Sequence, residues 1–222
     1  MPEQPQSLTD AQDIVEKFAP SQNYAEKYRG WERDYLPALC KHLENASPEA
    51  ALDIGPGWGT MGVWLARRGC AVTVMDFQPP GYYLTEALCA EHGITYAQAD
   101  IERTHLGERY DLVLMTQVLP HLCWRPDQAV VNAAAMLAKD GTFICSALNK
   151  AGYKDKPVPF GNWRDLPRLD EGPEPQESVK CLYYESDLRE LLERCFKAVR
   201  IWHPEGCSTM MAECCYPKRK GA

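Results

Sequence analysis

Three glycines at two-residue spacing, Gly55, Gly57 and Gly59, follow directly on the apolar run Ala50-Ala51-Leu52-Asp53-Ile54. Glycines after a buried strand let the chain turn sharply and let backbone approach a ligand where any side chain would collide. The spacing then separates candidate ligands. A dinucleotide fingerprint would carry its third glycine where Thr60 stands, and a phosphate-binding P-loop would need a following Gly-Lys-Ser/Thr that is not there. Asp53 adds its own chemistry, because a carboxylate beside the glycines suits a ligand with an ammonium group and repels a pyrophosphate. Two further acids, Asp76 and Asp100, end later apolar runs. By chain order Asp76 suits vicinal ribose hydroxyls, and Asp100 suits an exocyclic adenine amine.

The elements that must position these residues are read from periodicity. Residues 10–43 form a helical preface broken at Pro20-Ser21, and residues 50–54 form the strand that feeds the glycines. A helix over 61–68 ending at Gly69, a strand over 71–76, a helix over 82–92 ending at Gly93 and a strand over 94–99 follow. The alternation continues with a strand over 110–116, a helix over 127–138 and a strand over 141–148. Strands alternating with helices imply a parallel sheet covered on both faces. Residues 149–180 turn to Pro, Gly and charge, and read as a long surface loop, a possible substrate lid. A helix over 187–195 capped by Ser186, then strands over 196–202 and 209–216 joined by a short connection, complete the chain, so the last two strands are antiparallel neighbours. The expected organisation is a single domain over 1–222, with an N-terminal helical preface over 1–47.

Composition removes several classes of function. A formal net charge of -7 gives no reason to approach a phosphate backbone, so nucleic acid is not an expected partner. The basic run Lys218-Arg219-Lys220 reads as a solvated tail. No apolar stretch approaches the roughly 20 residues of a membrane span and the first residues lack a signal-peptide pattern, so a cytoplasmic protein without membrane contact is expected. Ten cysteines scattered through predicted strands and helices read as reduced thiols. His203, Cys207, Cys214 and Cys215 lack metal-ligand spacing, and no metal is expected.

Taken together, Leu52-Asp53-Ile54-Gly55-Pro56-Gly57-Trp58-Gly59, Asp76, Ala99-Asp100-Ile101, Tyr110-Asp111-Leu112-Val113 and Leu137-Ala138-Lys139-Asp140-Gly141-Thr142-Phe143 resemble the class I S-adenosylmethionine-dependent methyltransferases, as does Tyr184-Glu185-Ser186-Asp187-Leu188-Arg189-Glu190-Leu191-Leu192. The resemblance implies an α/β fold with a seven-stranded, mostly parallel, doubly wound sheet and an antiparallel last strand, and S-adenosylmethionine as cofactor. It assigns Asp53 and the glycines to the methionine part, Asp76 to the ribose, and Asp100 with the Ile101 backbone to the adenine. Phe77, Thr116 and Gln117, at the ends of the second and fourth strands, join them as cofactor-binding positions. Phe77-Gln78-Pro79-Pro80 departs from the usual pattern and reshapes the ribose edge.

Methyl transfer from a sulfonium needs alignment and dryness more than a dedicated catalytic group. If the acceptor atom carries a proton, His121, just after the fourth strand, is the candidate general base, beside the plainer reading that it only bonds backbone. Tyr24, Tyr28, Arg29 and Trp31 in the preface, and Trp163 in the long loop, are candidate substrate contacts; helical spacing equally suits the first group to packing. Strand four lacks the Asn/Asp-Pro-Pro-Tyr/Phe of adenine-amino methyltransferases, and Cys123 lacks the proline of cytosine-C5 enzymes. A small organic acceptor is therefore the leading expectation. An NAD-dependent oxidoreductase and a noncatalytic S-adenosylmethionine-binding scaffold stay as alternatives.

Overall fold

The computed structural model describes residues 7–19, 24–152, 158–160, 162–169 and 179–218. The chain divides into two compact units, Met1–Ala99 and Asp100–Ala222, and seven strands make one sheet in the order β3-β2-β1-β4-β5-β7-β6.

The first unit opens with α1 (Leu8–Phe18), where Ser7 Oγ accepts the Asp10 backbone N–H at 3.1 Å and so satisfies one of the helix's free donors. A π-helical turn (Tyr24–Tyr28) runs into α2 (Arg29–His42). β1 (Ala50–Ile54), α3 (Thr60–Ala66), β2 (Ala71–Asp76), α4 (Glu86–His92) and β3 (Thr95–Gln98) follow. β1 pairs parallel with β2 from Ala50↔Ala71 to Ile54↔Met75, and β2 with β3 from Thr73↔Thr95 to Asp76↔Gln98. Leu52, Val63, Leu65, Val74 and Met75 are wholly or almost wholly buried. Each such side chain contributes about 1.5–3 kcal/mol. The helix expected over 82–92 begins only at Glu86, because Thr85 Oγ1 accepts the Leu88 N–H at 3.3 Å and caps it there. Tyr82–Leu84 instead belong to a turn in which Gly81 N–H donates to the Leu84 carbonyl at 2.8 Å.

The second unit holds β4 (Tyr110–Met115), a 3-10 turn (Leu119–His121), α5 (Asp127–Ala135), β5 (Leu137–Leu148), short 3-10 turns at Lys150–Gly152 and Trp163–Asp165, α6 (Glu185–Glu193), β6 (Phe196–Trp202) and β7 (Thr209–Pro217). β4 and β5 are parallel, and β7 is antiparallel to both β5 and β6, so it is the reversed strand. Phe143 and Phe196, both fully buried, stack at 5.2 Å between centroids. β5 starts four residues earlier than its composition suggests, since Leu137 already pairs with Tyr110 ahead of a register shift. α6 starts at Glu185, with Tyr184 as its cap, rather than after Ser186. No helix among the described residues is long and apolar enough to cross a membrane, and all ten cysteines are free thiols.

Candidate active site

In the first unit the turn after β1 is built on left-handed backbone. Gly55, Gly57 and Gly59 have φ of 64°, 55° and 89°, values that cost any other L-residue roughly 1–2 kcal/mol. Gly55 N–H donates to the Met75 carbonyl at 2.8 Å and Gly59 N–H to the Pro56 carbonyl at 2.9 Å, which locks the turn. An added Cβ at Gly57 would meet nothing within 4 Å, so the backbone there faces open space. At Gly59 it would lie 2.5 Å from Leu84 Cδ1, and Leu84 is 2% exposed. Gly59→Ala is therefore expected to lose about 2 kcal/mol from strain and overpacking together. The urea midpoint measures it, and an unchanged midpoint would contradict the tight packing of this turn.

Asp53, at the base of the turn, is 2% exposed. Burial first, then the nearby charges of Asp76 and Glu32, push its carboxyl up to about 7. Asp76 ends β2; its Oδ1 accepts the Gln78 N–H at 2.9 Å, and burial raises its carboxyl as well. Phe77 presents its ring to solvent, 66% exposed, directly beside that acid. Asp53, buried and raised further by two neighbouring acids, is a place where a cationic ligand group restores ionisation.

The preface residues divide by role. Tyr24 is fully buried, and its hydroxyl donates to Glu32 Oε2 at 2.8 Å while lying 3.0 Å from Thr60 Oγ1. Arg29 forms ion pairs with Asp13 and Glu16 of α1. Of these candidate substrate contacts, Tyr24 has no exposed surface and Arg29 has its guanidinium engaged by α1. Tyr28 sits between Trp31 and Trp58, at 5.1 Å and 5.6 Å from their rings, and Trp31 is 53% exposed. Both keep solvent-facing surface. Glu32 and Thr60 were not singled out by sequence, although Tyr24, Tyr28 and Glu32 recur every fourth residue, the helical spacing that puts them on one face.

In the second unit Asp100 Oδ1 accepts the Glu102 N–H at 2.9 Å, and its Oδ2 pairs with Arg103 at 3.2 Å. Ile101 is buried, and its carbonyl accepts from Asn132 Nδ2 at 2.7 Å. Glu102 is an addition to the expected set. Its carboxylate accepts the Trp124 and Cys123 N–H groups at 2.7 Å and 3.3 Å, tying residues 123–124 beside Asp100, and burial pushes it up to about 7. Thr116 is buried. Gln117 has a φ of 57°, rare for a residue with a side chain. It is held there by its N–H on Ser146 Oγ at 2.7 Å and its Nε2 on Thr209 Oγ1 at 2.9 Å. Strain fixed by buried partners is common where a backbone is aimed at a ligand. His121 closes the 3-10 turn with its N–H on the Val118 carbonyl at 2.8 Å, and the residue is exposed. Lys180 N–H donates to the Pro120 carbonyl at 2.7 Å, and Tyr183 Oη to the Leu119 carbonyl at 3.3 Å, so the 180–183 stretch braces that turn.

Trp163, the candidate substrate contact in the long loop, packs its side chain inside the second unit. It is fully buried, with the guanidinium groups of Arg164, Arg194 and Arg125 at 4.5, 4.9 and 5.4 Å from its ring. Those arginines pair with Asp187, Glu190 and Asp127, so residues 163–165 are docked on α6 and the start of α5. Residues 153–157, 161 and 170–178 of the expected loop, and Arg219 and Lys220 of the basic tail, lie outside the described residues.

Residues 52–145 match a family model described as a methyltransferase domain. A ubiquinone biosynthesis O-methyltransferase of Methylobacterium nodulans is 35% identical over 122 residues, 50% of this chain and 49% of that protein. The chain thus spans about half the length of the curated relatives it matches. Among solved structures, DhpI in complex with S-adenosylhomocysteine superposes with a TM-score of 0.62 at 16% identity, covering 96% of both chains. The N-methyltransferase NodS from Bradyrhizobium japonicum WM9 with S-adenosylhomocysteine gives 0.57 at 16% identity, over 95% of this chain and 98% of that one. At such identities the likeness establishes the fold.

Proposed function

We propose, for a chain whose residues 52–145 match a family model described as a methyltransferase domain, that it is a class I S-adenosylmethionine-dependent methyltransferase that transfers a methyl group to a hydroxyl of a small organic acceptor. The observation that carries the reading is the buried Asp53 at the left-handed glycine turn, with a second raised acid, Asp76, at the end of the adjacent strand. The residues fit the cofactor. The buried Asp53 carboxyl, which a neighbouring ammonium would return to its acceptor-only ionised form, suits that group; bare backbone at Gly57 leaves room for the methionine portion; Asp76 suits the ribose diol. Asp100 and the Ile101 backbone serve the adenine, and Phe77, Thr116 and Gln117 are further cofactor-binding positions. The cofactor supplies a methyl on a sulfonium, already a good leaving group. The chain's own work is to hold both partners in line and exclude water.

The hydroxyl acceptor is favoured by the relative named as an O-methyltransferase. Tyr28 and Trp31 offer aromatic surface to such an acceptor. His121 is assigned the acceptor's proton, so His121→Ala is expected to lower kcat about tenfold near neutral pH, with the loss shrinking as pH rises. Its exposure keeps the effect modest, because water competes for the same proton. A pH–rate profile identical to wild type would remove the base and leave positioning alone. Acidic net charge and free cysteines support a cytoplasmic protein that does not engage nucleic acid.

Calorimetric titration with S-adenosylhomocysteine and with NAD(H) tests the cofactor, and transfer of labelled methyl into catechol-type probes tests the acceptor atom. Tight NAD(H) binding without response to S-adenosylhomocysteine would overturn the reading in favour of an oxidoreductase. Cofactor binding without transfer to any acceptor in a broad metabolite extract would favour a scaffold.

A further inference from the structure

A half-buried carboxylate in the N-terminal helices, that of Glu32, has more hydrogen-bonding partners than packing requires. Glu32 Oε2 accepts from Gln12 Nε2 at 3.1 Å and from Tyr24 Oη at 2.8 Å, and Glu32 Oε1 accepts from Thr60 Oγ1 at 2.8 Å. Gln12, Tyr24 and Thr60 are 2%, 0% and 2% exposed. The three donors come from α1, from the π-helical turn and from the first residue of α3, which directly follows Gly59. One side chain therefore fastens every helical piece of the preface to the glycine turn.

Proton counting supports a single hub. Tyr24 Oη and Thr60 Oγ1 also lie 3.0 Å apart, so three oxygen–oxygen contacts share two hydroxyl protons. With Glu32 ionised, both protons point at the carboxylate. Glutamine could not reproduce this, because its amide nitrogen cannot accept. Burying an acid for packing alone is unfavourable, and an apolar residue would do it better.

What lies beneath the fastened helices is the glycine turn. Trp58, between Gly57 and Gly59, is 6% exposed, with the rings of Tyr24 and Tyr28 each 5.6 Å from its own and its Nε1 sealed without a partner. Asp53 and Thr60 on either side of the turn are each 2% exposed. The preface is a cover, and Glu32 is where it is tied down.

We infer that Glu32 is a positioning residue of the methyl-transfer site, retaining the cofactor by holding the N-terminal helices over the glycine turn through Tyr24 and Thr60. The inference rests on the cofactor assignment above.

The test compares Glu32→Gln, Thr60→Val and Thr60→Ser with wild type in S-adenosylhomocysteine titrations and steady-state kinetics, with trypsin cleavage after Lys27 and Arg29 reporting the cover directly. Glu32→Gln and Thr60→Val are expected to weaken S-adenosylhomocysteine binding and raise KM for S-adenosylmethionine by about tenfold, with kcat within about twofold of wild type. Both should be cut faster, and S-adenosylhomocysteine should protect them less. Thr60→Ser keeps the hydroxyl and should return to wild-type behaviour. Wild-type affinity and cleavage in both variants, with only a lower melting temperature, would overturn the inference and leave Glu32 a structural residue. If Glu32→Gln does not fold, the Thr60 pair decides alone. Failure of wild type itself to bind S-adenosylhomocysteine would instead overturn the proposed cofactor.

Discussion

Asp53→Asn is expected to make the cofactor-free protein more stable above neutral pH while abolishing measurable S-adenosylhomocysteine binding. Asp53 has an ordinary carboxyl value of 3.8 when unfolded and is pushed up to about 7 in the fold. Below pH 3.8 both states hold the proton, and the residue contributes nothing to pH dependence. As pH rises from there to about 7 the unfolded chain loses its proton while the folded one keeps it. Stability then falls across that window. Once both states are ionised the cost is constant, roughly 4 kcal/mol at about 1.36 kcal/mol per pH unit. Asparagine carries no such cost. The melting temperature of the apo variant should exceed wild type at pH 8 and match it near pH 4. Equal melting temperatures at pH 8 would mean that the burial of Asp53 is not being felt.

The same displacement makes cofactor binding a proton-linked event. A ligand ammonium beside Asp53 favours the carboxylate, so wild-type affinity should rise with pH up to about 7 and proton release should accompany binding. Titration in buffers of different ionisation enthalpy measures that release. Asparagine offers an oxygen but no charge and leaves the ammonium without a counter-ion in a buried place, a loss of several kcal/mol. Stability gained where function is lost is the usual sign of a group kept for its chemistry.

Local chemistry made the first strand and its turn legible in the sequence. A short apolar run followed by glycines at two-residue spacing admits few backbone paths, and all three glycines do adopt positive φ. Asp76 at the end of β2 was legible for the same reason, since strand length is bounded by hydrophobic pattern, whereas Asp100 lies two residues beyond the end of β3. What escaped depends on partners far along the chain. Periodicity carries the helix over 127–138 through Leu137, yet parallel pairing with Tyr110 draws Leu137 into β5. Trp163 stands among prolines and charges that describe a surface loop, but three arginines from separate segments enclose it. Glu32 was not singled out by the sequence. Its partners Gln12, Tyr24 and Thr60 are 20, 8 and 28 residues away, and helical spacing brings only Tyr24 to its face.

Asp76→Ala should weaken S-adenosylhomocysteine binding by at least a hundredfold. Two charge-assisted hydrogen bonds to a ribose diol are worth roughly 1.5–3 kcal/mol each, and every 1.4 kcal/mol is about tenfold in affinity. The carboxylate is prepared for that task by its own backbone, since the Gln78 N–H at 2.9 Å and the Phe77 N–H hold it at the end of β2. Truncation also frees those two donors, so a simple loss of affinity could come from a disturbed turn. A double-mutant cycle separates the causes. With an S-adenosylhomocysteine analogue lacking both ribose hydroxyls, wild type should lose about as much affinity as the alanine variant does with the natural ligand, and the variant should lose little more. Independent, additive losses would place the ribose elsewhere and leave Asp76 a turn residue, whereas strong coupling ties this one carboxylate to the diol.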